Sequence, residues 1–132
     1  MRSGLSKELQ VAAWTSVVLL AVLSWLPADD MVRTGIDTRI EHVLAYMGAM
    51  LFVGAAYALR RGLLRMMAML IGYAGILELG QNFSPGRDSS VLDFAASSFG
   101  VIVGAIIFHF IYALLRDTPF GRELRRANQP SR

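Results

Sequence analysis

Glu78 and Gln81, three residues apart, are followed by Pro85-Gly86-Arg87 and Asp93, and preceded far upstream by Glu41-His42 and Tyr46. On a helix, three-residue spacing sets Glu78 and Gln81 on neighbouring positions of one face, where they can serve one site. At about 100° per residue, His42, Tyr46, Val53 and Tyr57 fall on one stripe. A glutamate and a histidine across a small cavity make a general acid and base pair, because partial desolvation tunes how readily such groups exchange protons. His42, Glu78 and Asp93 are therefore the candidate catalytic residues, and Arg87, Gln81, Tyr46 and Glu41 the candidates for binding. A structural lock is the competing reading. In it, Glu78 and Asp93 neutralise Arg87 and tie a loop to two helix ends, while Ser90-Val91-Leu92-Asp93 forms a capping box. All three charges converge at one junction, so Arg87 is expected to pair with Glu78 or Asp93.

No cysteine is present, which excludes disulfides, thiolate metal sites, a cysteine nucleophile and haem attachment. His109 lies roughly 24 Å further along its helix than the level of His42, so one protomer cannot join the two histidines. A hard cation on Glu41, Glu78 and Asp93 is not demanded by their spacing, and neither a metal nor a cofactor is assigned. His109 also points about 160° away from Asp93, toward another helix or a partner protein, and marks a candidate partner surface.

The elements that must position these residues are membrane helices. Of the 132 residues, 55% are hydrophobic and only 17% charged, against roughly a quarter charged in soluble domains. Leu9 to Leu26 approaches the roughly 20 apolar residues that cross a bilayer. Leu26-Pro27-Ala28 only faintly resembles a signal cleavage site, and the run is long for a signal segment. Val43 to Leu59 ends against Arg60-Arg61, and Leu92 to Leu115 stops at Arg116. The third run, Met66 to Leu77, is short and spans only by taking Glu78 and Gln81 into the interface.

The expected fold is an all-α bundle of four transmembrane helices, residues 1–116, with spans near 9–26, 43–59, 65–82 and 91–115. A basic tail, 117–132, follows as a short surface helix that frays, with anionic lipid headgroups as its partner. Arg2, Lys7, Arg60, Arg61, Arg65, Arg116, Arg122, Arg125, Arg126 and Arg132 fall on one side, and Arg33, Arg39 and Arg87 on the other. Ten against three places both termini in the cytoplasm and the polar residues at the opposite face. The basic excess thus follows topology, and no basic face with interleaved aromatics points to nucleic acid. On the last span, Asp93, Ser97, Gly100 and Gly104 share a narrow stripe, and the GxxxG spacing lets another helix approach closely.

From about Thr38 to Gly104 the chain resembles the VanZ-like family of small bacterial membrane proteins, named for an accessory protein of teicoplanin resistance. His42-Val43-Leu44-Ala45-Tyr46 matches the family's histidine and tyrosine opening one helix. Glu78, Gln81, Phe83, Pro85-Gly86-Arg87, Asp93, Gly100 and Gly104 match its second block. Two positions depart from it: Thr38-Arg39 stands where an aspartate and lysine are usual, with Asp37 out of register, and Ser97 stands where asparagine is common. The resemblance implies an envelope-facing role in the bacterial cytoplasmic membrane, with cell-wall or lipid-linked precursors and a link to glycopeptide resistance.

Two functions follow. In one, an outer-leaflet site binds or modifies a lipid-linked or amphiphilic envelope molecule, Arg87 holding an anionic group while His42 and Glu78 handle protons. In the other, the chain is a non-catalytic subunit of a larger membrane protein complex. The charge asymmetry makes a direct prediction: reporters fused at either terminus will read cytoplasmic and one in the Pro85 loop exported. An exported C-terminus would overturn the four-span arrangement.

Overall fold

The computed structural model describes residues 4–30 and 35–127; Arg2, Arg33, Arg132 and the tail beyond residue 127 lie outside them, as does the side chain of Arg60. The described chain is helical, without strands. Helix α1 is Gly4–Trp25. Helix α2 is Thr38–Val53 and runs on through a π-helical turn, Gly54–Ala58, into a last turn, Leu59–Arg61. Helix α3 is Leu63–Gly80 with a 3-10 turn over Gln81–Phe83, α4 is Val91–Leu115, and α5 is Pro119–Ala127. Four stretches, Lys7–Trp25, Thr38–Ala58, Leu63–Phe83 and Val91–Leu115, are long and apolar enough to cross a membrane, the architecture of a multi-pass membrane protein.

The helix ends follow local chemistry. Asp37 caps α2 by accepting from the Arg39 amide at 2.8 Å, and Ser90 caps α4 by accepting from the Asp93 amide at 3.3 Å. A single residue, Gly62, separates α2 from α3, with φ +87° and ψ 135°, a conformation a side chain would strain. The short third run becomes a full helix because its polar end turns inward. Glu78 and Gln81 are buried inside the bundle, so their side chains never meet lipid.

Helices α2 and α4 form the central pair. A Cβ on Gly100 would overlap the Val43 carbonyl, and one on Gly104 would lie 2.7 Å from the Met47 carbonyl oxygen. Advancing four residues on both helices shows that they run parallel, as the second and fourth spans of an up-and-down bundle must. Met50 and Val101 are fully buried in this seam, and α1 and α3 pack on its flanks. The outward surface of α1 is apolar, with Trp14, Val18, Leu19 and Val22 exposed, as lipid contact requires.

Within the tail the described residues form a helix, Pro119–Ala127. Thr118 caps α5 by accepting from the Gly121 amide at 3.2 Å, Gly121 lies against the Leu115 carbonyl, and Leu124 is buried, so α5 is docked on the bundle and touches α1. The start of α1 and the end of the described chain therefore share one end of the bundle.

Backbone cannot retreat as a flexible side chain can, so the glycine seam has a measurable consequence. Gly100→Val or Gly104→Val should each lower stability by about 1–3 kcal/mol or more. Gly48→Ala, at a position with nothing within 4 Å, should not, as thermal denaturation in detergent will show.

Candidate functional site

The parallel packing of α2 on α4 brings the first turns of both helices together with the last turn of α3. His42 Nδ1 and Ser97 Oγ are 3.0 Å apart, donor and acceptor being set by the imidazole tautomer. The His42 and Tyr46 rings stack with centroids 6.5 Å apart and an interplanar angle of 21°. Tyr46 and Ser97 are both buried, and Ser97 is a neighbour of the tyrosine hydroxyl as well. Expected only as a small packing residue beside Gly100 and Gly104, Ser97 is thus a polar partner of the histidine. Its place on the Asp93 stripe was the one signal that it faces inward.

Glu78 closes the cluster from α3. Its Oε1 accepts from the backbone amide of Ser90 at 2.6 Å, binding the end of α3 to the start of α4, where the helix dipole favours negative charge. Gln81, one turn on, is only 2% exposed. Among the described residues its Nε2 has no hydrogen-bond partner, and neither has Ser98 Oγ on α4, a group the sequence did not single out.

The expected pairing of Arg87 with Glu78 or Asp93 is not formed among the described residues. Arg87 Nη1 instead donates to the carbonyls of Leu23 at 3.2 Å and Leu26 at 3.4 Å, and Ser84 Oγ donates to the Trp25 carbonyl at 3.0 Å. These oxygens belong to the end of α1, whose last carbonyls have no intrahelical donors and attract a cation. Asp93 pairs with Arg39, Nε to Oδ1 at 4.0 Å, because parallel packing sets the first turn of α2 beside the first turn of α4. Nothing in the sequence marked the end of α1 as the arginine's partner. The acceptors it meets there, the Leu23 and Leu26 oxygens, are backbone carbonyls, which every residue has.

The remaining candidates lie apart or at the edge. Glu41 is half-buried on the first turn of α2, and His109 is exposed on α4 with its ring edge-on to Phe110 at 6.0 Å. Tyr57, expected on the His42 stripe, turns toward α1 and accepts from Trp14 Nε1 at 3.0 Å. The π-helical turn holds more residues per turn and so rotates the stripe after Val53. Among the described residues no group of three or more histidine, aspartate or glutamate side chains is placed to hold a metal ion.

No protein-family model matches the chain, and no curated protein or solved structure matches it. The arrangement itself offers a buried carboxylate, an imidazole held by a serine, a tyrosine and an unengaged amide donor.

These partners are separable by double-mutant cycles read from thermal denaturation in detergent. Arg87→Ala should cost about 1–3 kcal/mol by stranding the α1 carbonyls, and should add to Asp93→Asn without coupling. Arg39→Ala should couple to Asp93→Asn by no more than about 1 kcal/mol, since Arg39 is 58% exposed.

Proposed function

We propose that the chain is a VanZ-like protein of the bacterial cytoplasmic membrane, its termini cytoplasmic, whose polar outer end binds or modifies a lipid-linked or amphiphilic cell-envelope molecule. The observation that carries this reading is the Gln81 amide, a buried donor without an acceptor among the described residues. Leaving such a group unpaired costs about 1–3 kcal/mol, which a ligand oxygen relieves. His42, held by Ser97, and the buried Glu78 lie at the same end of the bundle, residue types suited to moving a proton on a bound molecule.

The rim supports an amphiphile. Ile36, Ile40, Phe83, Val91 and Leu92 are exposed at the same end of the bundle, Phe83 at 91%. An apolar rim around a polar interior suits a ligand with a lipid anchor and a polar head. Because Arg87 Nη1 is committed to α1, the ligand oxygen is assigned to Gln81. The ten-to-three split of basic residues supports the outward orientation of this end, and the resemblance extends the proposal to glycopeptide resistance. A second reading, an accessory subunit of a larger complex, is favoured by His109, an ionisable ring exposed on an otherwise apolar helix surface.

Gln81→Leu distinguishes a ligand contact from a structural one. It should leave thermal stability unchanged or raised, since an unpaired donor is removed, yet reduce the envelope amphiphile retained after gentle detergent extraction. His42→Gln and Glu78→Gln should insert normally and lose the cellular phenotype. If both behave as the parent while His109→Ala abolishes the phenotype, the accessory reading replaces the site.

A further inference from the structure

At the opposite end of the bundle, α1, α2 and α3 enclose a half-open cleft of about 590 Å³, within the range of small-molecule sites, roughly 300–1,000 Å³. Trp14, Val17, Tyr57, Arg61, Met66 and Tyr73 are among the residues lining it. The cleft follows from how α2 is seated. Gly54 lets α2 lean onto the Phe108 ring of α4, and the π-helical turn begins at that glycine. The seam on the other side, toward α1 and α3, stays unfilled. Two hydrogen bonds frame it, Trp14 Nε1 to Tyr57 Oη at 3.0 Å and Tyr73 Oη to the Val17 carbonyl at 2.8 Å.

We propose that this cleft holds one acyl chain of an anionic membrane lipid, with the lipid phosphate on Arg61. Charge complementarity identifies the occupant. Arg61 is exposed at the mouth, in the last turn of α2, and among the described residues it has no acidic partner. One turn deeper, Tyr57 and Trp14 form the kind of aromatic pair that settles at headgroup level, with the polar tip toward water and the ring toward the chain.

The apolar lining extends beyond the mouth. A second cleft of about 580 Å³ shares Trp14, Val17 and Tyr73 and continues along α1 to Trp25, Leu26 and Pro27. Eleven residues from Trp14 to Trp25 rise about 16 Å, so the apolar path runs from the Arg61 end toward the outer end of α1. A transmembrane helix of a second copy is a poorer fit, because about 590 Å³ holds little more than one turn of a helix roughly 10 Å across. Its mouth at Arg61 lies at the end of the bundle away from His42, Glu78 and Gln81.

Trp14 reports on the cleft directly, since the chain has only two tryptophans and Trp25→Phe leaves it as the sole one. The full chain is reconstituted in phosphatidylcholine vesicles containing phosphatidylglycerol, with brominated acyl chains on one lipid or the other at equal mole fraction. Brominated phosphatidylglycerol should quench Trp14 several-fold more strongly than brominated phosphatidylcholine, and Arg61→Gln should abolish the difference while leaving the thermal transition in place. Equal quenching by the two lipids overturns the proposal. Selectivity that persists in Arg61→Gln removes the phosphate from Arg61 and overturns it likewise. Weak quenching by both, together with a crosslinked dimer, shows that a second copy covers the cleft and also overturns it.

Discussion

Everything at the polar end depends on how closely α2 and α4 approach. In lipid no hydrophobic force draws helices together, so association rests on van der Waals contact and on the few polar groups that face each other. Gly100 and Gly104 let the α2 backbone come into direct contact near Val43 and Met47. That contact fixes both separation and axial register, and the register sets His42 opposite Ser97 and Arg39 opposite Asp93. A shift of one residue would turn these side chains by about 100° and dissolve both pairs. The glycines are therefore as much a part of this arrangement as the polar residues they bring together.

Around this pair, the segment between α3 and α4 works as a clamp in two directions. Glu78 holds the first amide of α4, while Ser84 and Arg87 hold the last carbonyls of α1. The Glu78 and Arg87 contacts are charge-assisted and the Ser84 contact is neutral; all meet helix ends, where backbone groups lack partners and the dipole adds to the attraction of the charged pair. Three of the four long helices are thereby joined at one end by side chains acting on backbone. Among the described residues the lock at this end is thus made on backbone groups, Glu78 on the Ser90 amide and Arg87 on the α1 carbonyls, and not by the expected neutralisation of Arg87 by Glu78 or Asp93.

The opposite end is built on a looser principle. There α2 widens into a π-helical turn, α3 begins after a single glycine, and the seam toward α1 is bridged by side-chain hydrogen bonds rather than filled by packing. Helix α5, seated through Gly121 and Leu124, brings Arg122, Arg125 and Arg126 to this end. The bundle is thus tight and internally polar at one end, and open, apolar and rimmed with cations at the other.

The sequence by itself determined the number of helices, the membrane-compatible length of each, the capping of α4 by Ser90 and the gathering of His42, Tyr46, Glu78, Gln81 and Asp93 at one end. These follow from local rules: apolar run length, 3.6-residue periodicity, cap chemistry, and the alternation of four antiparallel spans. Tertiary structure alone decided who bonds to whom. Arg87 went to backbone carbonyls of α1 rather than to a carboxylate, Asp93 to Arg39, and Ser97 to His42. Tyr57 left its stripe because a π-helical turn broke the helical period. Each of these outcomes depends on the distance and register between helices far apart in the chain, or on backbone acceptors that every residue carries, and neither leaves a mark in residue type or spacing.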